Sequence, residues 1–227
     1  MVRALALLAA LAVPAAAPAA GVADLSNRDT VAGLKAALVK GSQAAVSRLG
    51  VNDGFFGNNR VKIPLPPSLR SLEAVMRSIG MGPQADELVL RMNRAAEAAV
   101  PRAKRLLVDA AKKMSVHDAK GILTGGDDAA TQYFKRTTSD ALAKRFRPIV
   151  RRAIAKVKLA EKYNEIAASG AKLGLVKEED ASLEDYVTRK ALEGLFVTIA
   201  EEEKKIRQDP AKAASRIIRR VFGAIGK

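Results

Sequence analysis

Apolar residues recur at helical spacing along most of this chain, and no long segment alternates as a half-buried strand does. The clearest stripe follows Ser139 and consists of Phe146, Ile149, Val150, Ala153, Val157 and Ala160. Side chains three or four positions apart lie on one face of a helix. Alanine, leucine, lysine, arginine and glutamate, which favour helices, dominate the composition. The sequence therefore predicts an all-α fold.

Turn and capping signals divide the stripes into about eight helices, which we interpret as a single helical bundle over residues 20–227. The first helix is predicted over residues 27–49. Pro101 is expected to kink or split a helix that begins at Pro83, because proline lacks the backbone N–H that the helix ladder needs. Residues 170–182 are predicted to form a charged linker, and residues 211–222 the last helix.

The segment TGGDD (124–128) is interpreted as a helix junction. Gly125 is predicted to end one helix in the left-handed conformation, and Asp127 or Asp128 to cap the next. Ser139 is predicted to start another helix. Further along, the run EEEKKIR (201–207) is predicted to be a solvated helix face, because its charges pair at i and i+4.

Residues 51–67 are the longest predicted non-helical segment, with turn clusters at NDG (52–54) and GNN (57–59). A loop of this length inside a compact bundle is unusual and points to a functional loop or to one that clasps the core. A clasp would pack Phe55, Phe56, Ile63 and Leu65 over the bundle. Both alternatives stay open at the level of the sequence.

The first residues have the organisation of a signal peptide. Arg3 is followed by an apolar run over residues 4–13 and by the small-residue stretch AAAPAA (15–20), which fits cleavage after Ala19. The apolar run is about half as long as a membrane-spanning helix needs. We therefore expect an exported, periplasmic protein that does not span the membrane.

The composition narrows the possible chemistry. The chain has no cysteine and one histidine, His117, so thiolate and histidine-rich zinc sites and cysteine nucleophiles are excluded, and no metal or cofactor is expected. Lysine plus arginine number 39 against 24 acidic residues, a net charge of +15. Such a charge attracts anionic partners. We expect anionic lipid or lipopolysaccharide head groups, and no nucleic acid, since tryptophan is absent and aromatic residues are few.

Two sets of residues are candidates for binding. Asn93 and Glu97 share a helix face beside small alanines, and carboxylates there could serve acid–base chemistry. With the turn residues they form the candidate ligand-binding set: Asp53, Phe55, Phe56, Asn58, Asn93, Glu97, Asp127, Asp128 and Tyr133. The candidate contacts to an anionic surface form a cationic line beside the stripe after Ser139: Lys144, Arg147, Arg151, Arg152 and Lys158.

Six segments between residues 31 and 223 carry a family resemblance. They are DGFFGN (53–58), IPLP (63–66), MNRAAE (92–97), LTGGDDAATQYF (123–134), DYVT (185–188) with ALEGLF (191–196), and AEEEKKIR (200–207). In this order they resemble a bacterial exported family known as domain of unknown function 4197. Glu193 departs from the family pattern, where an aspartate is expected. The resemblance implies an all-helical envelope protein and no assigned activity.

Three functional hypotheses remain open. The first is a non-enzymatic binding or scaffold protein whose basic surface engages anionic envelope components. The second is a small-ligand carrier with a pocket between helices, closed by residues 51–67. The third is a carboxylate-dependent hydrolase that uses Glu97 and Asp127 or Asp128, which requires those side chains to converge in one pocket.

Overall fold

The structure, a computed structural model, describes residues 27–70, 73–155, 157–164, 182–210, 218 and 221. Within these ranges the regular secondary structure is helical and no strand occurs, so the all-α prediction is confirmed there. The predicted signal peptide, most of the predicted linker and most of the predicted last helix lie outside the described residues.

The α-helices follow one another as α1 (Asn27–Leu49), α2 (Pro67–Arg70), α3 (Glu73–Ser78), α4 (Gly82–Ala99), α5 (Ala103–Lys113), α6 (Val116–Thr124), α7 (Ala129–Ile154) and α8 (Leu183–Gln208). A further helical stretch covers residues 158–164. The bounds of α1 agree with the prediction. The expected interruption at Pro101 is present, because a 3-10 helix over Val100–Arg102 separates α4 from α5.

Three predictions around α7 differ from the structure. Asp128 is the N-cap residue of α7, but its side chain makes no capping hydrogen bond. α7 runs without a break through Ser139, whose hydroxyl donates to the Lys135 carbonyl oxygen (2.6 Å) within the helix and does not cap a new one. Gly125 is extended, with φ −83° and ψ 178°, and is not left-handed. A glycine is still needed there, since a Cβ atom would lie 2.7 Å from the Ala129 Cβ atom.

The bundle is organised around α7 and α8, which pack against each other. α7 also contacts α4, α5 and α6, and α8 also contacts α1 and α4. The fully buried large side chains include, from these two helices, Phe134, Leu142, Phe146, Ile154 and Tyr186. Each such side chain stabilises the fold by roughly 1.5–3 kcal/mol when it leaves water. This core fixes α4 and α8 as the surface on which the loop at 51–66 rests.

Candidate functional site

Residues 51–66 form a folded clasp over α4 and α8, and we use the name clasp for this segment. Its turns close through backbone hydrogen bonds, including Gly57 N–H to the Asp53 carbonyl oxygen (3.0 Å) and Lys62 N–H to the Asn58 carbonyl oxygen (2.8 Å). Asp53 has a φ of 64°. Gly54 approaches the end of α1 so closely that a Cβ atom would lie 2.4 Å from the Leu49 carbonyl oxygen. The clasp is therefore an ordered loop held by its own backbone hydrogen bonds and by close packing on α1.

Apolar side chains anchor the clasp to the core. Phe55, Val61, Ile63 and Leu65 are buried, whereas Phe56 is half-buried with the Lys62 ammonium 4.2 Å from its ring centroid. Phe55 packs so tightly on α8 that a Cβ atom at Gly194 would lie 2.6 Å from its ring. The packing that the clasp alternative requires is present, with Phe56 nearer the surface than expected.

Glu97 ties the clasp to α4 through one of its two carboxylate oxygens. Oε1 accepts hydrogen bonds from Phe55 N–H (3.0 Å) and Phe56 N–H (3.1 Å). Oε2 accepts from the Arg94 guanidinium (2.7 Å), which also pairs with Asp53 (2.8 Å). Glu97 is 5% exposed. Both carboxylate oxygens of Glu97 therefore already accept hydrogen bonds from groups of the fold.

Asn93 ties the far end of the clasp to the same helix face. Its Oδ1 accepts from Ile63 N–H (2.8 Å), and its Nδ2 donates to the carbonyl oxygens of Ile63 (2.9 Å) and Val89 (2.7 Å). The side chain is fully buried. Asn93 therefore satisfies both backbone groups of Ile63, as a neighbouring strand would.

The residues of the α6–α7 junction do not join this cluster. Asp127 and Asp128 are exposed, and the Asp128 carboxylate accepts from Gln132 Nε2 at 2.7 Å. Tyr133 is buried, and its hydroxyl donates to the Ala110 carbonyl oxygen at 2.9 Å. Burial raises the pKa of Tyr133. The structure brings together the candidates at 53–58 and 93–97 and leaves Asp127, Asp128 and Tyr133 apart from them.

Glu203 is a buried carboxylate that the sequence reasoning missed, since it was placed on a solvated face. Oε1 accepts from Ala130 N–H (2.9 Å), and Oε2 accepts from Thr131 N–H (2.9 Å) and the Thr131 hydroxyl (2.9 Å). Arg207 donates to Oε1 at 2.9 Å. The signal was available, because Glu203 continues the buried stripe of α8 four residues after Ile199.

The carboxylates named in the hydrolase hypothesis do not converge in one pocket, because Glu97 is buried under the clasp and Asp127 and Asp128 are exposed at the α6–α7 junction. Glu97 and Glu203 are occupied by backbone N–H groups and by arginines, and Asp128 lies in the exposed junction. No cluster of three or more metal-ligating side chains occurs in the described ranges. The geometry therefore does not favour the hydrolase hypothesis.

One apolar cavity inside the bundle is too small for a carried ligand. This cavity lies between α1, α7 and α8, where Leu34, Phe134 and Ile206 line it, and has a volume of about 20 Å³. That is space for about one water molecule, whereas small-molecule sites occupy roughly 300–1,000 Å³. The carrier hypothesis finds no support at this position.

The candidate surface cations are exposed, and most lack an acidic partner. Arg147 pairs with Asp185 at 2.9 Å, and Arg152 Nε donates to the Pro148 carbonyl oxygen at 3.3 Å. Among the described residues, no carboxylate lies within ion-pair distance of Lys144 or Arg151. α7 ends at Ile154, so helical spacing no longer aligns Lys158, which is also exposed, with the cations of α7.

Several open grooves lie on the surface around the clasp and α8. The groove between the clasp, α2 and α8 has a volume of about 470 Å³ and a largely polar lining. Among the described residues, no helix has the length and apolar character needed to cross a bilayer. The groove beside the clasp is thus mainly polar and cationic, whereas the clasp itself packs on apolar side chains.

Comparison with known proteins places the chain beside one family. The family model described as "Protein of unknown function (DUF4197)" matches residues 24–223. No curated protein and no solved structure matches the chain. The family match agrees with the resemblance carried by the six segments, and it covers both the clasp and α8.

Proposed function

The chain belongs to the DUF4197 family of proteins of unknown function, and for this member we propose a non-enzymatic role as an exported protein that binds anionic envelope components through the exposed face of α7. The proposed partners are phosphate-bearing lipid or lipopolysaccharide head groups. The proposal includes export to the periplasm after cleavage behind Ala19.

Unpaired positive charge on α7 carries the proposal. Lys144, Arg147 and Arg151 are spaced by three and four residues, which places them along one line of the helix, and Arg152 lies beside them. Only Arg147 of these four has a carboxylate partner within the described ranges. Exposed cations without local partners are free to neutralise an anionic surface, at about 1 kcal/mol for each lysine or arginine near a charged bilayer.

The test is binding of the purified protein to vesicles that contain phosphatidylglycerol, compared with vesicles of phosphatidylcholine alone. We expect cosedimentation with the anionic vesicles that falls steeply as salt is raised, because screening shortens the reach of surface charges. The triple variant Lys144→Gln/Arg151→Gln/Arg152→Gln should bind about a hundredfold more weakly.

A matched control removes the same number of charges elsewhere. Lys104, Lys113 and Lys120 are exposed on α5 and α6, and the variant Lys104→Gln/Lys113→Gln/Lys120→Gln keeps the cations of α7. Its binding should fall much less. Absence of binding at every salt concentration would contradict the proposal, and so would equal losses in the two variants.

Export is tested separately by expression of the full chain in a Gram-negative host. The periplasmic fraction should contain a protein whose N-terminal sequence begins at Ala20. Retention in the cytosol with Met1 or Val2 at the N-terminus would contradict the signal-peptide prediction without bearing on the vesicle result.

A further inference from the structure

The groove between the clasp and α8 has the dimensions and walls of a small-molecule site. Its volume of about 470 Å³ lies within the range of such sites. The clasp, α2 and α8 each supply charged residues, which are Arg60, Lys62, Arg70, Arg189, Lys190 and Glu193. Two separate stretches of chain, far apart in sequence, therefore meet to make one charged cleft.

The groove lining carries five cations against one carboxylate, and Arg60, one of the five, pairs with Glu201 at 3.0 Å, which leaves an excess of about three positive charges. Glu193 pairs with Arg189 at 3.2 Å and with Lys190 at 2.6 Å. No carboxylate in the described part of the chain is within ion-pair distance of Lys62 or Arg70. Positive charge gathered on the walls of a cleft attracts anions more strongly than charge spread over a convex surface.

The walls of the groove are held in place by the fold. The Tyr186 hydroxyl of α8 donates to the Pro64 carbonyl oxygen of the clasp at 3.1 Å. Glu97 and Asn93 fasten the clasp to α4, and Gly194 lets the clasp approach α8 closely. Because these contacts hold both walls before any ligand arrives, binding does not have to order the backbone.

We propose that this groove binds a phosphate group borne by a polar molecule, such as a sugar phosphate or the phosphorylated head group of an envelope lipid. Arginine forks and lysine ammonium groups are the side chains that bind phosphate oxygens. A phosphate carries more charge than a single carboxylate and so matches the excess of cations better. The remaining volume accommodates the polar group to which the phosphate is attached.

Glu193 is the one carboxylate in the lining of the groove. It bridges Arg189 and Lys190, the two lining cations that α8 supplies, and its side chain is 47% exposed. A bound phosphate competes with this carboxylate for the same cations. Glu193 therefore weakens the binding of anions, while Lys62 and Arg70 on the opposite wall strengthen it.

The first experiment measures binding by calorimetry with inorganic phosphate and glucose 6-phosphate as soluble probes, and by flotation with vesicles that contain lipid A. The variant Lys62→Gln/Arg70→Gln should bind about tenfold more weakly than the unmodified protein, since each exposed charge pair is worth up to about 1 kcal/mol. Both side chains are on the surface, so the fold should be kept, which circular dichroism verifies. Lys104→Gln/Lys113→Gln is the control with equal charge and should bind as the unmodified protein does.

The outcomes separate the sources of the phosphate. Saturable binding of a soluble probe with the tenfold loss supports the proposal and assigns a free phosphate ligand. Binding to lipid A vesicles alone, with the same loss in the groove variant, supports it and assigns a head group. Absence of saturable binding to every probe would overturn the proposal, as would equal binding by the groove variant and the control.

A second variant tests the groove in the opposite direction. Glu193→Gln should tighten binding of the same probes by about fivefold, because it removes the competing carboxylate. An unchanged or weaker affinity would overturn the place given to Glu193. The inference goes beyond the proposed role of α7, and the soluble probes keep the two apart, because failure of vesicle binding through α7 leaves phosphate binding in the groove untouched.

Discussion

The helices α6 and α7 follow each other in the chain and begin in different ways. At the start of α6, the Ser115 hydroxyl accepts from Asp118 N–H (3.1 Å) and the Asp118 carboxylate accepts from Ser115 N–H (3.2 Å). At the start of α7, Asp128 occupies the N-cap position without capping. Instead, the Glu203 carboxylate of α8 accepts hydrogen bonds from the backbone N–H groups of Ala130 and Thr131 in the first turn of α7.

The difference shows how a local and a remote cap depend on the rest of the molecule. The cap of α6 is complete within four residues and needs no other element. The cap of α7 exists only when α8 packs on α7, because Glu203 is 73 residues from Ala130. Formation of the first turn of α7 is thereby coupled to assembly of the two central helices.

The largest effect is expected for Glu203→Gln. Both oxygens of Glu203 accept backbone N–H groups, so the amide NH₂ of glutamine would face a buried donor. We expect the free energy of unfolding to fall by about 3 kcal/mol. Urea denaturation followed by circular dichroism measures it. Glu202→Gln is the control and should change stability by less than about 0.5 kcal/mol, since Glu202 pairs with the exposed Lys205.

A smaller loss of stability is expected for Glu97→Gln than for Glu203→Gln. Both carboxylates accept backbone N–H groups from a distant segment, so the two variants can be compared directly. Phe55 and Phe56 both donate to Oε1, so the single oxygen of glutamine can keep both bonds. The amide NH₂ would face the Arg94 guanidinium, but the Arg94 side chain is 31% exposed and can turn toward water, so the free energy of unfolding should fall by about 1 kcal/mol. If Glu97→Gln destabilised more than Glu203→Gln, the division of acceptors between the two oxygens would not be the deciding factor.

The two N-cap positions should respond differently to the same kind of substitution. Ser115→Ala removes a cap and should lower the free energy of unfolding by about 1 kcal/mol. Asp128→Ala removes a side chain that makes no cap bond and should change it by less than about 0.5 kcal/mol. Equal losses at the two positions, again measured by urea denaturation, would contradict the remote cap.

The smallest effect concerns the pH dependence of the α6 cap. Hydrogen bonds from the Ser115 hydroxyl and backbone N–H lower the pKa of Asp118 below its ordinary value of 3.8. The stabilisation is therefore complete above 3.8 and is lost as pH falls through the lowered pKa. Asp118→Asn should cost a few tenths of a kcal/mol near neutral pH, and the cost should vanish in acid. A cost independent of pH would contradict this account.

The polar residues of the candidate site also form two groups, those whose hydrogen bonds hold the fold together and those that remain exposed. Asn93 and Glu97, which the sequence suggested as candidate site residues, hold the clasp on α4. The Glu97 carboxylate and the Asn93 amide oxygen accept hydrogen bonds from backbone N–H groups of the clasp. Cations remain exposed on α7 and in the groove beside the clasp. The exposed face of α7 and the groove beside the clasp therefore both present positive charge to the solvent.

Part of this could be predicted from the sequence. The bounds of α1 and the break at Pro101 depend on residues within a few positions of one another, and both were predicted. The sequence also singled out Phe55, Asn93 and Glu97, but not the bonds between them, which join residues about 30 to 42 positions apart. The groove lined by Lys62, Arg70 and α8 was not predicted at all, because its walls come from distant segments.

The sequence by itself determined the helical class, several helix ends and the positive charge, because spacing, capping and formal charge are local properties. The tertiary structure decided which charges are buried and which remain exposed. Glu203 and Glu202 are neighbours in one acidic run, yet one caps α7 and the other pairs at the surface. The apolar stripe through Ile199 indicates which face of α8 is buried, but only the packing of α8 on α7 supplies the N–H donors that make burial of the Glu203 carboxylate favourable.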